Sequence, residues 1–179
     1  MTDSSFLESW HDFFLAVSGG AAALTGLGFV AMSLHLKAIL GRPVLMNRAK
    51  GVLTNLTAVF LRCVLVLMGS QSNQAVALEL FCVCAAAALI NAVNFLPLLR
   101  DPRSIPPVIL LRYLGGLLCF VAEMTGAAFF FYGSSWGLYL AATAMVCSFY
   151  YGVSGAWLLL IGVTHDQKSL SNKAKRKIS

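Results

Sequence analysis

Arg62 is the residue of this chain that most needs a chemical explanation. It stands about twelve residues into an apolar run, Gly51–Gly69, that carries no other charge. At a rise of about 1.5 Å per residue, that depth is near the middle of a bilayer-crossing helix. A lone guanidinium there costs at least about 2.5–3.5 kcal/mol on insertion scales, so it requires a partner. Two carboxylates offer themselves. Glu123 reaches a similar depth in a run that enters from the same side, and Glu79 lies about one turn nearer the opposite surface on the adjacent run. Such a pair either locks two helices together or belongs to an ion or proton path.

A second group is made of amides. Asn91 and Asn94 are three residues apart and share a helical face. Reflecting the hairpin about its turn puts Asn55 level with Asn91. In lipid, such amides hydrogen-bond between helices, and they can also form an ion-coordinating polar layer. Near the N-terminus, Glu8, His11 and Asp12 have i, i+3, i+4 spacing, which reads as a solvated acidic helix ahead of a metal site. In a ring of subunits, Asp3, Glu8 and Asp12 would surround the outer mouth and concentrate cations. His35, two residues before Lys37, is an interfacial histidine or a pH-sensitive gate. No nucleophile elbow, HExxH or Cys/His/Asp set occurs at a shared depth, so an enzyme is not expected, nor is a metal or other cofactor. Cys63, Cys82, Cys84, Cys119 and Cys147 all fall in apolar runs without CxxC spacing and read as small buried hydrophobes.

The elements that must position these groups are membrane spans. Of 179 residues, 59% are hydrophobic and 11% charged. Mean hydropathy is +0.79. Soluble domains carry about 25% charged residues, and no soluble core hides this much apolar surface. The expected fold is an all-α polytopic bundle of five transmembrane helices: Phe13–Leu36, Gly51–Gly69, Ala75–Leu99 with Pro97 marking its end, Val108–Tyr132 and Leu138–Val163. Residues 37–50 read as a loop, Ser70–Gln74 and GSSWG as tight turns, and Arg100–Pro107 as a stretch that Pro102, Pro106 and Pro107 keep from helix. The chain thus divides into an outer polar segment (1–12), a transmembrane domain (13–163) and a basic tail (164–179) that is disordered at its end.

Charge assigns the sides. Loop one carries Lys37, Arg42, Arg48 and Lys50, loop three Arg100 and Arg103 with Arg112 just inside the next span, and the tail five more. Five alternating spans put all of these on one face, leaving the opposite face only acidic charge, so the N-terminus is expected outside and the C-terminus in the cytoplasm. Trp10, Tyr132, Trp136 and Tyr139 then form an outer aromatic belt, with Tyr113 at the inner one. The net charge of +6 is topological, and the tail cluster touches anionic lipid at about 1 kcal/mol per basic residue, so no nucleic-acid partner is expected.

Half of span one is Gly, Ala, Ser or Thr. Its heptad-spaced face Phe14, Ser18, Ala21, Thr25, Gly28, Met32, His35 suits a close-packed seam or the wall of a water-filled path. The expected function is a homo-oligomeric ion channel or pore lined by Ser18, Thr25, Gly28, Met32 and His35. The alternative is a non-conducting regulatory or accessory partner of another membrane protein, docked through the same face.

The run WHDFFLAVSGGAAALTGLGFVAMSLHL, Trp10–Leu36, followed by a basic loop ending Arg48-Ala49-Lys50, resembles a group of small uncharacterised bacterial membrane proteins, some labelled modulator of FtsH protease. The resemblance covers under a quarter of the chain and implies a bacterial cytoplasmic (inner) membrane location. The established modulators of that protease look like seven-span proteins, where this chain has five. Thr25–Leu36 also looks like the pore helix of Orai calcium channels, although Leu34 stands where that family has its pore glutamate.

Overall fold

A computed structural model describes the backbone of residues 3–41, 43–69, 71–99 and 107–178, and the side chains of 6–37, 39–41, 45–69, 71–96, 110–159 and 161. Every described element is helical: α1 (Asp3–Glu8), α2 (His11–Leu34), α3 (Leu36–Leu40), α4 (Pro43–Leu67), α5 (Asn73–Leu99), α6 (Pro107–Phe131) and α7 (Ser135–Ile178). Five of them contain stretches long and apolar enough to cross a membrane: His11–Leu34, Leu45–Leu67, Asn73–Leu96, Leu110–Phe131 and Ser135–Leu159. The distribution of polarity is that of a lipid-solvated chain. Leu27, Leu111 and Leu118 are 66%, 72% and 69% exposed, while Arg62 and Glu123 are 1% and 4% exposed.

The helix ends follow from local chemistry. Pro43 and Pro107 open α4 and α6, at the position where a missing N–H costs nothing. Gly133, at φ 87°, ends α6. Its N–H donates to Phe130 O and that of Ser134 to Phe129 O, both at 3.0 Å, which satisfies the last carbonyls of the helix.

Helices α4, α5, α6 and α7 pack in a closed ring, each against the next and α7 back against α4. Helix α2 lies outside the ring, against α4 and marginally α7. One end of the ring carries the aromatic residues: the Trp10 and Tyr139 rings are 4.7 Å apart, and Phe6 of α1 is 6.4 Å from Phe130. Here Phe14, Val59, Val76, Phe130, Leu138 and Met145 share one buried cluster. Close approach of α6 and α7 requires glycine, since a Cβ on Gly126 would sit 2.6 Å from Ala141 N. The other end, where α4 and α6 begin, is basic, with Arg48 and Arg112.

Three features differ from the expectation. The stretch expected as a loop, 37–50, is largely helical: 37–40 belong to α3 and 43–50 make the first turns of α4, because Pro43 is a helix starter and Val44–Lys50 holds no breaker. Since α4 starts early, Leu56 is the middle of Leu45–Leu67, and Arg62 lies six residues (62 − 56), ~9 Å, past it toward the aromatic end. Helix α7 runs unbroken for 44 residues to Ile178, so the tail that was expected to end in disorder is helical. No Pro or Gly follows Gly162, and Lys, Arg, Ala, Leu and Gln favour helix. The proline-rich link 100–106 lies outside the described residues.

Candidate functional site

At the basic end the interior of the ring is not filled, and a cavity of ≈ 180 Å³ opens among α4, α5, α6 and α7. Its polar lining comes from every helix: Asn47, Arg48 and Asn55 of α4, Asn91 and Asn94 of α5, Arg112 of α6, and Ser148 and Tyr151 of α7. The three asparagines singled out from sequence therefore share one cavity. Asn55 Nδ2 donates to Ser148 O across helices at 2.6 Å, whereas Asn91 Nδ2 donates within its own helix, to Ala87 O at 2.9 Å.

Glycine placement shapes the cavity. A Cβ on Gly152 would come within 2.9 Å of Asn55 Nδ2, and one on Gly155 within 3.2 Å of Arg112 Nη2, so bare α7 backbone lets both side chains lie flat. A Cβ on Gly116 would meet nothing within 4 Å. Arg112 is held in place: its Nη2 donates to Tyr151 O at 2.6 Å and Ser154 Oγ at 2.8 Å, and its guanidinium lies 5.6 Å from the Tyr151 ring centre. Phe95 and Tyr113, stacked at 3.8 Å and 7°, form a flat apolar wall.

Beyond Phe120, further along the bundle axis, is the buried charge. Arg62 Nη1 pairs with Glu123 Oε2, and Arg62 Nε donates to Ala58 O at 2.9 Å. The Cys84 thiol lies 3.3 Å from Glu123 Oε2 and 3.8 Å from Arg62 Nη1, so α4, α5 and α6 meet in one cluster. Phe120 joins this cluster to the cavity: its ring lines the cavity and lies 6.0 Å from the Arg62 guanidinium. The rival carboxylate is engaged elsewhere, for Gln71 Nε2 donates to both Glu79 oxygens at 3.0 and 3.1 Å. Arg62 Nη2 and Glu123 Oε1 are buried without a hydrogen-bond partner, whereas the buried Ser148 hydroxyl has the Cys119 thiol beside it.

The face of α2 proposed as a channel wall packs largely against the chain itself. Phe14, Ser18 and Ala21 are buried, and Met32 packs with Ile39, Leu45, Ala49 and Leu159. Ser18 Oγ donates to Leu15 O at 2.8 Å and Thr25 Oγ1 to Ala21 O at 2.7 Å, both within the helix. The nearest atom to a Cβ on Gly28 would be Met32 Cε, at 3.7 Å. His35 separates α2 from α3, its Nδ1 buried without a partner. Glu8 and Asp12 are exposed, with His11 Nδ1 3.7 Å from Asp12 Oδ1. Asp3 opens α1, and its side chain lies outside the described residues. Among the described residues no group of three or more His, Cys, Asp and Glu could hold a metal ion.

Asn47 and Arg48 were not singled out from sequence because they were assigned to a loop. The signal was present: Asn47, Gly51 and Asn55 recur every four residues, which is one helical face once α4 starts at Pro43. No known protein family, curated protein or solved structure matches the chain. Fold and site together define a class: a helical protein with five helices fit to cross a membrane, apolar outside and polar along the axis of four of them.

Proposed function

We propose that the chain is a membrane transport protein whose path runs through the interior of the α4–α7 ring. The observation that supports this is a series of polar groups at successive levels of one axis. The cavity comes first, with Ser148 on its wall, and then Arg62 and Glu123, each with one unpartnered atom. Buried polar atoms of this kind call for water, and water along an axis is a route for ions or protons. By the positive-inside rule the cavity faces the cytoplasm, and the Arg62–Glu123 pair closes the route toward the outside. The resemblance of span one would imply a bacterial cytoplasmic membrane. Purified protein in liposomes should pass ions or protons, with Glu123→Gln altering the rate at least tenfold. Liposomes that stay sealed at every pH and voltage, with wild type and variant alike, would end this reading.

A second reading rests on the outward face of α2. Space beside Gly19 and Gly26 is open, and Leu27, Phe29 and Val30 are exposed next to them. That face supports close docking of another helix. The other helix would come from identical subunits, making a homo-oligomeric pore around α2, or from a membrane protein that this chain regulates without conducting. Mass measured in mild detergent separates these. A ring of four or more favours the pore, a stoichiometric foreign partner without flux favours the regulator, and a bare monomer removes both.

A further inference from the structure

We infer that the cavity at the basic end is a binding site for a phosphate or carboxylate group carried on a small, partly apolar body. The inference rests on the reading of this cavity as the mouth of the transport path, and it names the class of cargo.

The first ground is unbalanced charge. Arg48 and Arg112 both line the cavity and feel one another's charge. The ion pairs among the described residues are His11–Asp12 and Arg62–Glu123, and neither involves a cavity arginine. Among the described residues no Asp or Glu lines the cavity. Two like charges held at the edge of an apolar bundle repel and are poorly solvated, and an anion between them relieves both penalties.

The second ground is geometry. Arg112 is fixed through a single nitrogen, Nη2, by Tyr151 O and Ser154 Oγ, and its plane is steadied by the Tyr151 ring. That leaves its Nε and Nη1 hydrogens without a protein acceptor among the described residues. A guanidinium so oriented offers the planar fork that matches carboxylate and phosphate oxygens. The amides of Asn47 and Asn94 line the same space and can donate to further oxygens of the anion.

The third ground is size and wall chemistry. A cavity of ≈ 180 Å³ has room for one anionic group and a few carbons. The stacked Phe95–Tyr113 pair and the side chains of Val52, Leu117 and Leu158 supply an apolar side for those carbons. The same chemistry describes a free small anion and the headgroup of an anionic lipid entering sideways, and the two are separable by experiment.

The test is equilibrium binding to the purified full-length protein in neutral detergent, by calorimetry and thermal shift. The probes are inorganic phosphate, butyrate and phosphatidylglycerol, with choline chloride and a neutral sugar as controls. The expected result is saturable binding of phosphate, butyrate or both. It should weaken at least tenfold in Arg48→Gln, which removes charge, and in Gly116→Leu, which fills the space and leaves both arginines. Binding of phosphatidylglycerol alone, with the same sensitivity, assigns the site to a lipid headgroup. The inference is overturned if no anionic probe binds, if binding ignores both substitutions in protein that still melts cooperatively, or if choline or the sugar binds instead. Anion binding without flux would remove the transport reading and keep the site. Flux without anion binding would do the reverse.

Discussion

Gly116 and Gly126 lie on the same helix and have opposite surroundings. At Gly126, the α6 backbone touches that of α7, with Ala141 N only 2.6 Å from where a Cβ would stand. At Gly116 there is nothing within 4 Å. The polar groups divide the same way. Toward the aromatic end, Arg62 and Glu123 neutralise one another in a close-packed setting. Toward the basic end, Arg48 and Arg112 border open space with no carboxylate among the described residues. One half of the ring uses glycine and charge to shut the helices together. The other uses them to hold the helices apart around unsatisfied donors, and unsatisfied donors are what a ligand can exploit.

The largest effect should come from halving the buried ion pair. Glu123→Ala or Arg62→Ala leaves a buried charge alone and should lower unfolding stability by about 3–5 kcal/mol, with the double variant losing less than the sum. Denaturant titration in detergent measures this. Costs for the two singles no larger than those of Arg48→Ala would erase the distinction between the two ends. Next, Gly126→Val forces backbone apart and should cost about 1–3 kcal/mol, whereas Gly116→Val should melt within a degree or two of wild type. Equal losses would mean that the cavity is not open. Asn55→Ala removes the interhelical bond to Ser148 O and should cost about 1 kcal/mol, against less than about 0.5 kcal/mol for Asn94→Ala, which makes no such bond among the described residues. Smallest of all, Gly26→Leu on the outer face of α2 should change monomer stability by no more than about 0.5 kcal/mol. A large loss there would show that α2 needs a neighbouring helix.

Sequence made the five apolar helices legible, because a lipid-solvated helix must carry about 20 apolar residues and little else does. It also marked Arg62 as a residue in need of a counter-charge. It left Glu79 and Glu123 open, since the choice turns on Gln71, whose side chain reaches back across a turn to occupy Glu79. Arg48 and Asn47 are hidden because a basic, Pro-containing stretch ahead of Gly51 reads as loop, which also shifts the apparent depth of Arg62. The small face of span one illustrates a more general ambiguity. Gly, Ala and Ser let any helix approach, so the pattern does not distinguish the chain's own α4 from a second subunit. Phe14, Ser18 and Ala21 turn out to be buried within the chain.

In the proposed transport reading the ring interior opens at the basic end, which the positive-inside rule would turn toward the cytoplasm. A single cysteine at Gly116, in protein whose five native cysteines are replaced by alanine, tests it with a small anionic thiosulfonate applied to each face of sealed vesicles. Rapid modification from the cytoplasmic face, slowed by phosphate or butyrate and at least tenfold slower from the other face, is the predicted result. No modification from either face, or equal modification from both, would contradict it.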